Sequence, residues 1–321
     1  MHQYLKYEDI ALIPKLGVLP SRSDADVSLN FFGKKFKIPV VPANMKSVIN
    51  ERLSKWMSEE DLFYIMHRFD VDIFNFVQTA NLENWKTISI SVGVKNEDKK
   101  IIEKIADSNL RLDFVTIDIA HGHSLLMKDM ISFIKSKIPS SIIIAGNVAS
   151  YYSILDLAEW GADCVKVGVG QGSPCSTKDK TGFTAPMFTC VKECAKFNVS
   201  EAFREIPIIA DGGIKCNGDV AKSIVAGATL AMAGSLFSRC SDSPAESVSV
   251  GGSIKKRYFG SASEYNKKEK KHIEGFSRDI SCNGMSYKDK VIEIEEDLRS
   301  AVSYSGGRDL SSLKSTEYIL V

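Results

Sequence analysis

One cysteine sits among glycines and a proline in the stretch Gly168-Val169-Gly170-Gln171-Gly172-Ser173-Pro174-Cys175-Ser176-Thr177. The stretch follows an apolar, β-like run, Asp163 to Gly168. Glycine admits φ > 0 and lets a ligand come close to the backbone. A thiol on such a turn lies at a strand end, where its thiolate can attack a bound electrophile. The expected chemistry is therefore a covalent cysteine adduct. The thiol needs a partner that manages protons, and no histidine adjoins the loop. Thr177 is two residues away. Glu274, in His272-Ile-Glu-Gly275, is an acid on a distant glycine-rich segment that could fold over the thiol. Spacing alone does not join them.

Such a loop needs a scaffold, and eight apolar runs supply one. They cover residues 39–45, 62–67, 88–93, 114–120, 142–148, 164–168, 206–211 and 230–234. Several are almost continuously apolar, as strands buried on both faces of a parallel sheet are. Helical segments are expected between them at Asn96–Asp107, Ser150–Trp160 and Asp219–Ala226. Gly161 and Gly227 follow the last two as helix caps. Eight βα units predict a closed (β/α)8 TIM barrel in one domain over residues 1–321, with an open doubly wound sheet as the alternative. A barrel puts its active site at the C-terminal strand ends. Those ends here carry His67-Arg68, Asp118 to His123, Gly146-Asn147, the cysteine loop, Asp211-Gly-Gly213 and Gly234-Ser235.

The last two strand ends form a pattern of their own. Loops after the seventh and eighth strands of a barrel often bind phosphate. Gly212, Gly213, Gly234 and Ser235 are expected to offer backbone N–H groups there. Asp211 repels phosphate but accepts from ribose hydroxyls, so the set suits a nucleoside monophosphate. Taken alone, the same residues also read as two tight turns. His121-Gly-His123 lacks a third ligand and is expected to line the pocket rather than bind metal. Cys190 and Cys194 are either a ligand pair or, at i,i+4, one buried helix face. The stretch Gly251–Lys290, with its Lys267–Lys271 charge run, is a solvated loop or a flexible lid.

Composition excludes other classes. With 41 basic and 40 acidic residues among 321, the chain has a formal charge of +1, which argues against a nucleic-acid partner. No apolar run has the ~18–20 residues of a membrane span. The opening Met1–Ile10 lacks the layout of a secretory signal. Seven scattered cysteines without a CxxC pair point to a reducing, cytoplasmic setting.

Several motifs together resemble the inosine monophosphate dehydrogenase and guanosine monophosphate reductase family, over essentially the whole chain. They are Tyr7-Glu-Asp-Ile10, Pro42-Ala-Asn-Met45, Asp118 to His123, Ala145-Gly-Asn147, the Gly170–Thr177 loop, Ala210-Asp-Gly-Gly213, and the late Leu298-Arg-Ser300 with Tyr304-Ser-Gly-Gly307. Met66 to Ile88 leaves no room for the regulatory domains that the dehydrogenase inserts. Arg257-Tyr258 looks like that branch's hydrolytic dyad, but it stands just before Phe259–Tyr265 instead of in a long flap and reads as a decoy. Phe259–Gly275 and Lys180-Thr-Gly-Phe183 are similar to the reductase branch in its bacterial form. Gln171, Pro174 and Ser176 depart from the usual loop.

The resemblance implies NADPH-dependent reductive deamination of GMP to IMP and ammonia, through a thioimidate on Cys175. Thr177 and Glu274 would activate the thiol and protonate ammonia. Asp211 would hold the ribose, and Ser173, Gly212, Gly213, Gly234 and Ser235 the phosphate. Phe259, Gly260, Ser261, Lys271 and Gly275 would cover the base. His67, Asp118, Ile119, Ala120, Val169 and Gly170 would face the nicotinamide half. Carbonyls of Gly170, Gly172 and Cys175 would coordinate potassium, and the assembly would be a homotetramer in the cytoplasm. The alternatives are an IMP dehydrogenase without regulatory domains and a non-catalytic nucleotide-binding barrel.

Overall fold

The structure, a computed structural model, describes residues 4–199, 205–268 and 270–321. Met1–Gln3 and Glu269 of the charge run lie outside them. Three short strands come first: β1 (Ile10–Leu12), β2 (Leu29–Phe31) and β3 (Lys34–Phe36). The barrel strands follow as β4 (Val40–Pro42), β5 (Ser89–Val92), β6 (Phe114–Asp118), β7 (Ile142–Val148), β8 (Cys164–Val167), β9 (Ile208–Asp211) and β10 (Leu230–Ala233). They form one parallel sheet in the order β4-β10-β9-β8-β7-β6-β5. The first barrel strand thus pairs with the last, Ala231 opposite Val40 and Ala233 opposite Pro42. An open doubly wound sheet does not make that pairing, and the sheet curls into a TIM-barrel-like wall.

The run at 62–67 departs from expectation. Its residues from Leu62 to His67 are buried, yet it joins the sheet only through Met66. The Met66 N–H donates to Ser89 O at 3.1 Å, and the Ser91 N–H to Met66 O at 2.9 Å. Apolar content reports burial, and burial here does not require a ladder.

Helices alternate with the strands: α1 (Glu51–Glu59), α2 (Ile73–Leu82), α3 (Asn96–Asp107), α4 (Leu125–Lys137), α5 (Tyr151–Glu159), α6 (Thr177–Thr181), α7 (Met187–Ala195) and α8 (Asn217–Val225). The starts are written in the sequence. Asn50, Asp72, Ser124 and Ser150 each accept a backbone N–H of the first turn. Past α9 (Ser235–Ser238), the antiparallel strands β11 (Ser247–Val250), β12 (Ser253–Phe259) and β13 (Ser277–Ser281) form a separate three-stranded sheet, with α10 (Glu264–Lys267) between the last two. Strands β12 and β13 and helix α10 thus fall inside the stretch expected as a loop or lid, with irregular segments between them. Helix α11 (Tyr287–Tyr304) completes the outer layer, α12 (Ser311–Lys314) follows, and β14 (Tyr318–Leu320) pairs with β1.

One end of the barrel is sealed. The β2–β3 hairpin brings Phe31 and Phe36 against Phe63 and Phe114, with ring centroids 5.1–5.7 Å apart. Phe114 opens β6, so this aromatic plug closes the N-terminal strand ends, and the cleft lies at the other end. Among the described residues no helix is long and apolar enough to cross a membrane.

Candidate active site

A cleft of about 670 Å³ occupies the C-terminal strand ends, within the range of small-ligand sites. Its walls come from the loops after β4, β6, β8, β9 and β10 and from the 260–278 region. The cysteine loop enters it directly from β8. Gly168 has φ +143°, and a Cβ there would fall 2.0 Å from Asp211 O. Only glycine lets β8 and β9 approach so closely before the chain turns.

Cys175 is partly exposed on the cleft wall. Its thiol donates to Thr177 Oγ1 at 3.2 Å, and that hydroxyl donates to Glu274 Oε2 at 2.7 Å. The two segments, about a hundred residues apart, meet through main-chain bonds. Ser176 N–H donates to Glu274 O at 2.8 Å and Phe276 N–H to Pro174 O at 2.9 Å, while Glu274 N–H ties back to Ala262 O of its own segment at 3.1 Å. Glu274 to Phe276 thus pack on the cysteine loop as an extra strand pairing, Cys175 opposite Gly275. The departures in the loop have local partners. Gln171 donates through Nε2 to Thr184 Oγ1 at 2.6 Å, and its carbonyl accepts the Gly213 N–H at 3.2 Å.

That last bond corrects one expectation: the Gly213 N–H is committed to the cysteine loop and does not face a ligand. Ser173, Asp211, Gly212, Gly234 and Ser235 line the cleft with it. A Cβ on Gly234 would lie 2.2 Å from the Tyr258 hydroxyl, so glycine makes room for that ring. Burial and then the Asp211 charge hold the Tyr258 phenol well above its ordinary range. Three cations that sequence reasoning missed, Lys215, Arg239 and Arg278, also reach the cleft. Arg278 donates to the Ser173 hydroxyl.

At the other wall Asp118, Ile119, Ala120, Val169 and Gly170 line the cleft, together with Arg68 lying over the Phe69 ring at 4.8 Å. Gly260, Ser261 and Gly275 line it as well. Three expected contacts lie off the wall. His67 is buried, and its Nδ1 accepts the Phe69 N–H at 3.2 Å. Burial, then the Lys46 cation, press its pKa down to about 4, so it is neutral at physiological pH. Phe259 is buried with its ring against Tyr265, and its carbonyl accepts from Ser47. Lys271 is exposed.

His121 is exposed, and His123 turns outward to Asp156 at 2.6 Å, so neither lines the cleft. Cys190 and Cys194 are buried on α7. No group of three His, Cys, Asp or Glu side chains among the described residues is placed to hold a metal ion. Arg257 of the decoy dipeptide pairs with Asp279 and Glu246 at 3.1 and 3.3 Å, away from the cleft.

Beneath the cleft lies a buried charge cluster. Lys166 Nζ sits 2.7 Å from Asp118 Oδ1 and 2.8 Å from Asp211 Oδ2. Asn147 Nδ2 also donates to Asp211 Oδ2, and Asn44 Nδ2 to Asp118 Oδ2. Burial opposes the charges on Asp118 and Lys166. Their mutual attraction outweighs it, holding the carboxyl below and the ammonium above their usual ranges. Lys166 did carry a signal: a lysine inside a strand buried on both faces requires paired carboxylates.

Comparison with known proteins follows the same lines. Residues 4–321 match the family model for the IMP dehydrogenase / GMP reductase domain. A Mesoplasma florum protein named GMP reductase is 47% identical over 318 residues, covering 98% of this chain and 97% of that protein. A Staphylococcus aureus protein of the same name is 46% identical over 319 residues, covering 98% and 95%.

Proposed function

This chain belongs to the IMP dehydrogenase / GMP reductase family, and we propose that it is an oxidoreductase of the reductase branch, converting GMP to IMP and ammonia with NADPH. The observation that carries the reading is the Cys175–Thr177–Glu274 hydrogen-bond chain, set on a cleft that also holds a ribose-type acceptor and the Arg239 and Arg278 guanidiniums. Its relatives named GMP reductase support the same substrate.

The chemistry runs through this chain's own groups. The Cys175 thiol passes its proton toward Glu274 through Thr177. The thiolate adds to purine C2. Protonation of the exocyclic amine from the same chain expels ammonia and leaves a thioimidate on Cys175. The wall of Asp118, Ile119, Ala120, Val169 and Gly170 would hold a dihydronicotinamide, which would supply hydride to C2. Collapse of the resulting adduct releases IMP and the Cys175 thiolate. Asp211 anchors the ribose hydroxyls. Gly212, Gly234, Ser235, Ser173 and the Arg239 and Arg278 guanidiniums meet the phosphate. Gly213 shapes this cradle through its bond to Gln171. Gly260, Ser261 and Gly275 cover the base.

The wall of Asp118, Ile119, Ala120, Val169 and Gly170 suits the nicotinamide half, with small and apolar residues beside the Arg68–Phe69 stack. Water must stay out, because hydrolysis of the thioimidate would give xanthosine monophosphate. The docked stretch from Glu274 to Phe276 serves this as a lid. The outward pairing of Arg257 leaves no arginine–tyrosine base in the cleft. The Gly172 carbonyl accepts the Cys175 N–H at 3.0 Å and keeps a second lone pair, so Gly170, Gly172 and Cys175 would offer carbonyl oxygens to a potassium ion. A cytoplasmic homotetramer working in purine salvage completes the reading.

Mass spectrometry of protein trapped with GMP tests it. A nucleotide adduct is expected on Cys175 and absent in Cys175→Ala. Purified protein should oxidise NADPH with GMP. Oxidation of IMP with NAD in place of that reaction assigns the chain to the dehydrogenase branch, and GMP binding without turnover makes it a non-catalytic barrel.

A further inference from the structure

The mechanism above leaves Lys166 unused, although it is the most deeply buried cation at the cleft, with a side chain 4% exposed. It rises from the interior of β8 between two carboxylates that both line the cleft. Asp118 ends β6, two strands away across β7, and Asp211 ends β9, the neighbouring strand. Without a cation between them these two anions would repel across a poorly solvated floor.

The bonding is asymmetric. Asp118 has both oxygens engaged, Oδ1 by Lys166 and Oδ2 by Asn44. Asp211 has Lys166 and Asn147 on Oδ2, and its Oδ1 has no hydrogen-bond partner among the described residues. Its main chain is pinned as well, since Gly168 packs directly on Asp211 O. The carboxylate is thus held by one oxygen, with the other left for a ligand.

We propose that Lys166 is a positioning residue: it ties Asp118 and Asp211 into one unit and thereby presents Asp211 Oδ1 to the nucleotide ribose. This rests on the GMP reductase reading. It makes the cofactor-side and nucleotide-side walls share a single cation, so the register between the two bound molecules depends on a side chain that touches neither. An interaction of this kind contributes equally to ground and transition states. Its loss raises KM and spares kcat.

The test is steady-state kinetics of Lys166→Met and Lys166→Ala. Loss of a charge-assisted hydrogen bond to Asp211 is expected to raise KM for GMP by about 10–100-fold, with kcat within about threefold. Ethylammonium, which can refill the space in Lys166→Ala, is expected to lower that KM in a dose-dependent way, and propan-1-ol is not. A role in packing alone would not distinguish the charged from the neutral additive. Should Lys166→Met fail to fold, the charge-balanced pair Asp118→Asn with Lys166→Met is expected to fold and to keep the raised KM. Wild-type KM in any of these variants, equal rescue by propan-1-ol, or failure of the balanced pair to fold overturns the proposal. A wild-type protein that does not reduce GMP fails the functional reading instead.

Discussion

Replacing Glu274 by glutamine separates proton management from lid placement. The main-chain bonds that dock the segment, Ser176 N to Glu274 O and Phe276 N to Pro174 O, use no side-chain atom. An amide of nearly the same shape leaves them intact and can still accept from Thr177. What it loses is the capacity to take the thiol proton and return it to ammonia. If Glu274 only oriented Thr177, the cost would be that of weakening one hydrogen bond to a charged group, about 1.5–3 kcal/mol or roughly 10–150-fold. As a general acid–base the loss should reach about 10²–10⁴-fold in kcat, some 3–5 kcal/mol of barrier. The two ranges overlap only near 100-fold, so the pH profile decides. The ionisation governing kcat in the wild type should vanish in Glu274→Gln, while KM for GMP stays within about threefold. The assay follows loss of the reduced-nicotinamide absorbance with GMP, with ammonia release as a second readout. A fall in kcat below tenfold, or a pH profile that keeps its wild-type shape, refutes the proton route through Thr177.

Thr177→Val, which keeps the shape and removes the relay hydroxyl, should lower kcat by an amount close to that for Glu274→Gln, and the double variant should add little, because the two act in series. The His67 imidazole should titrate by NMR near pH 4 and stay neutral above pH 6. Because its folded pKa is depressed, it contributes stability that is complete above about pH 6.5 and is lost as pH falls toward 4. By linkage this amounts to about 3 kcal/mol, which His67→Asn should remove from the acid limb of a denaturation series. Gly168→Ala combines a φ of +143° with a Cβ 2.0 Å from Asp211 O. It should cost at least about 1–3 kcal/mol in thermal unfolding and disturb GMP binding more than binding of the reduced nicotinamide nucleotide.

The repeat of the barrel is plain along the chain, because strands buried on both faces cannot carry polar residues and their ends must. Seven of the eight apolar runs form strands, and the first and last of them pair. The run at 62–67 has the same composition but pairs at Met66 alone. The lid strands β12 and β13 hid in text such as Ile254-Lys-Lys-Arg257 because one face of this small sheet meets solvent and the apolar alternation is thin. Cys175 and Thr177 were readable from local spacing, and Asp211 from its glycine neighbours.

The amino-acid order alone determined the period of the barrel, the turn that carries the thiol, and which strand ends bear polar groups, since each depends on residues within a few positions of one another. Tertiary structure decided the rest. It placed Glu274 on Thr177, brought Arg278 to Ser173, buried His67 away from the cleft, and set Lys166 between Asp118 and Asp211. Apart from the bond of His67 to its near neighbour Phe69, these contacts join segments tens to a hundred or more residues apart, and such a contact exists only once the sheet has curled and fixed both ends in space.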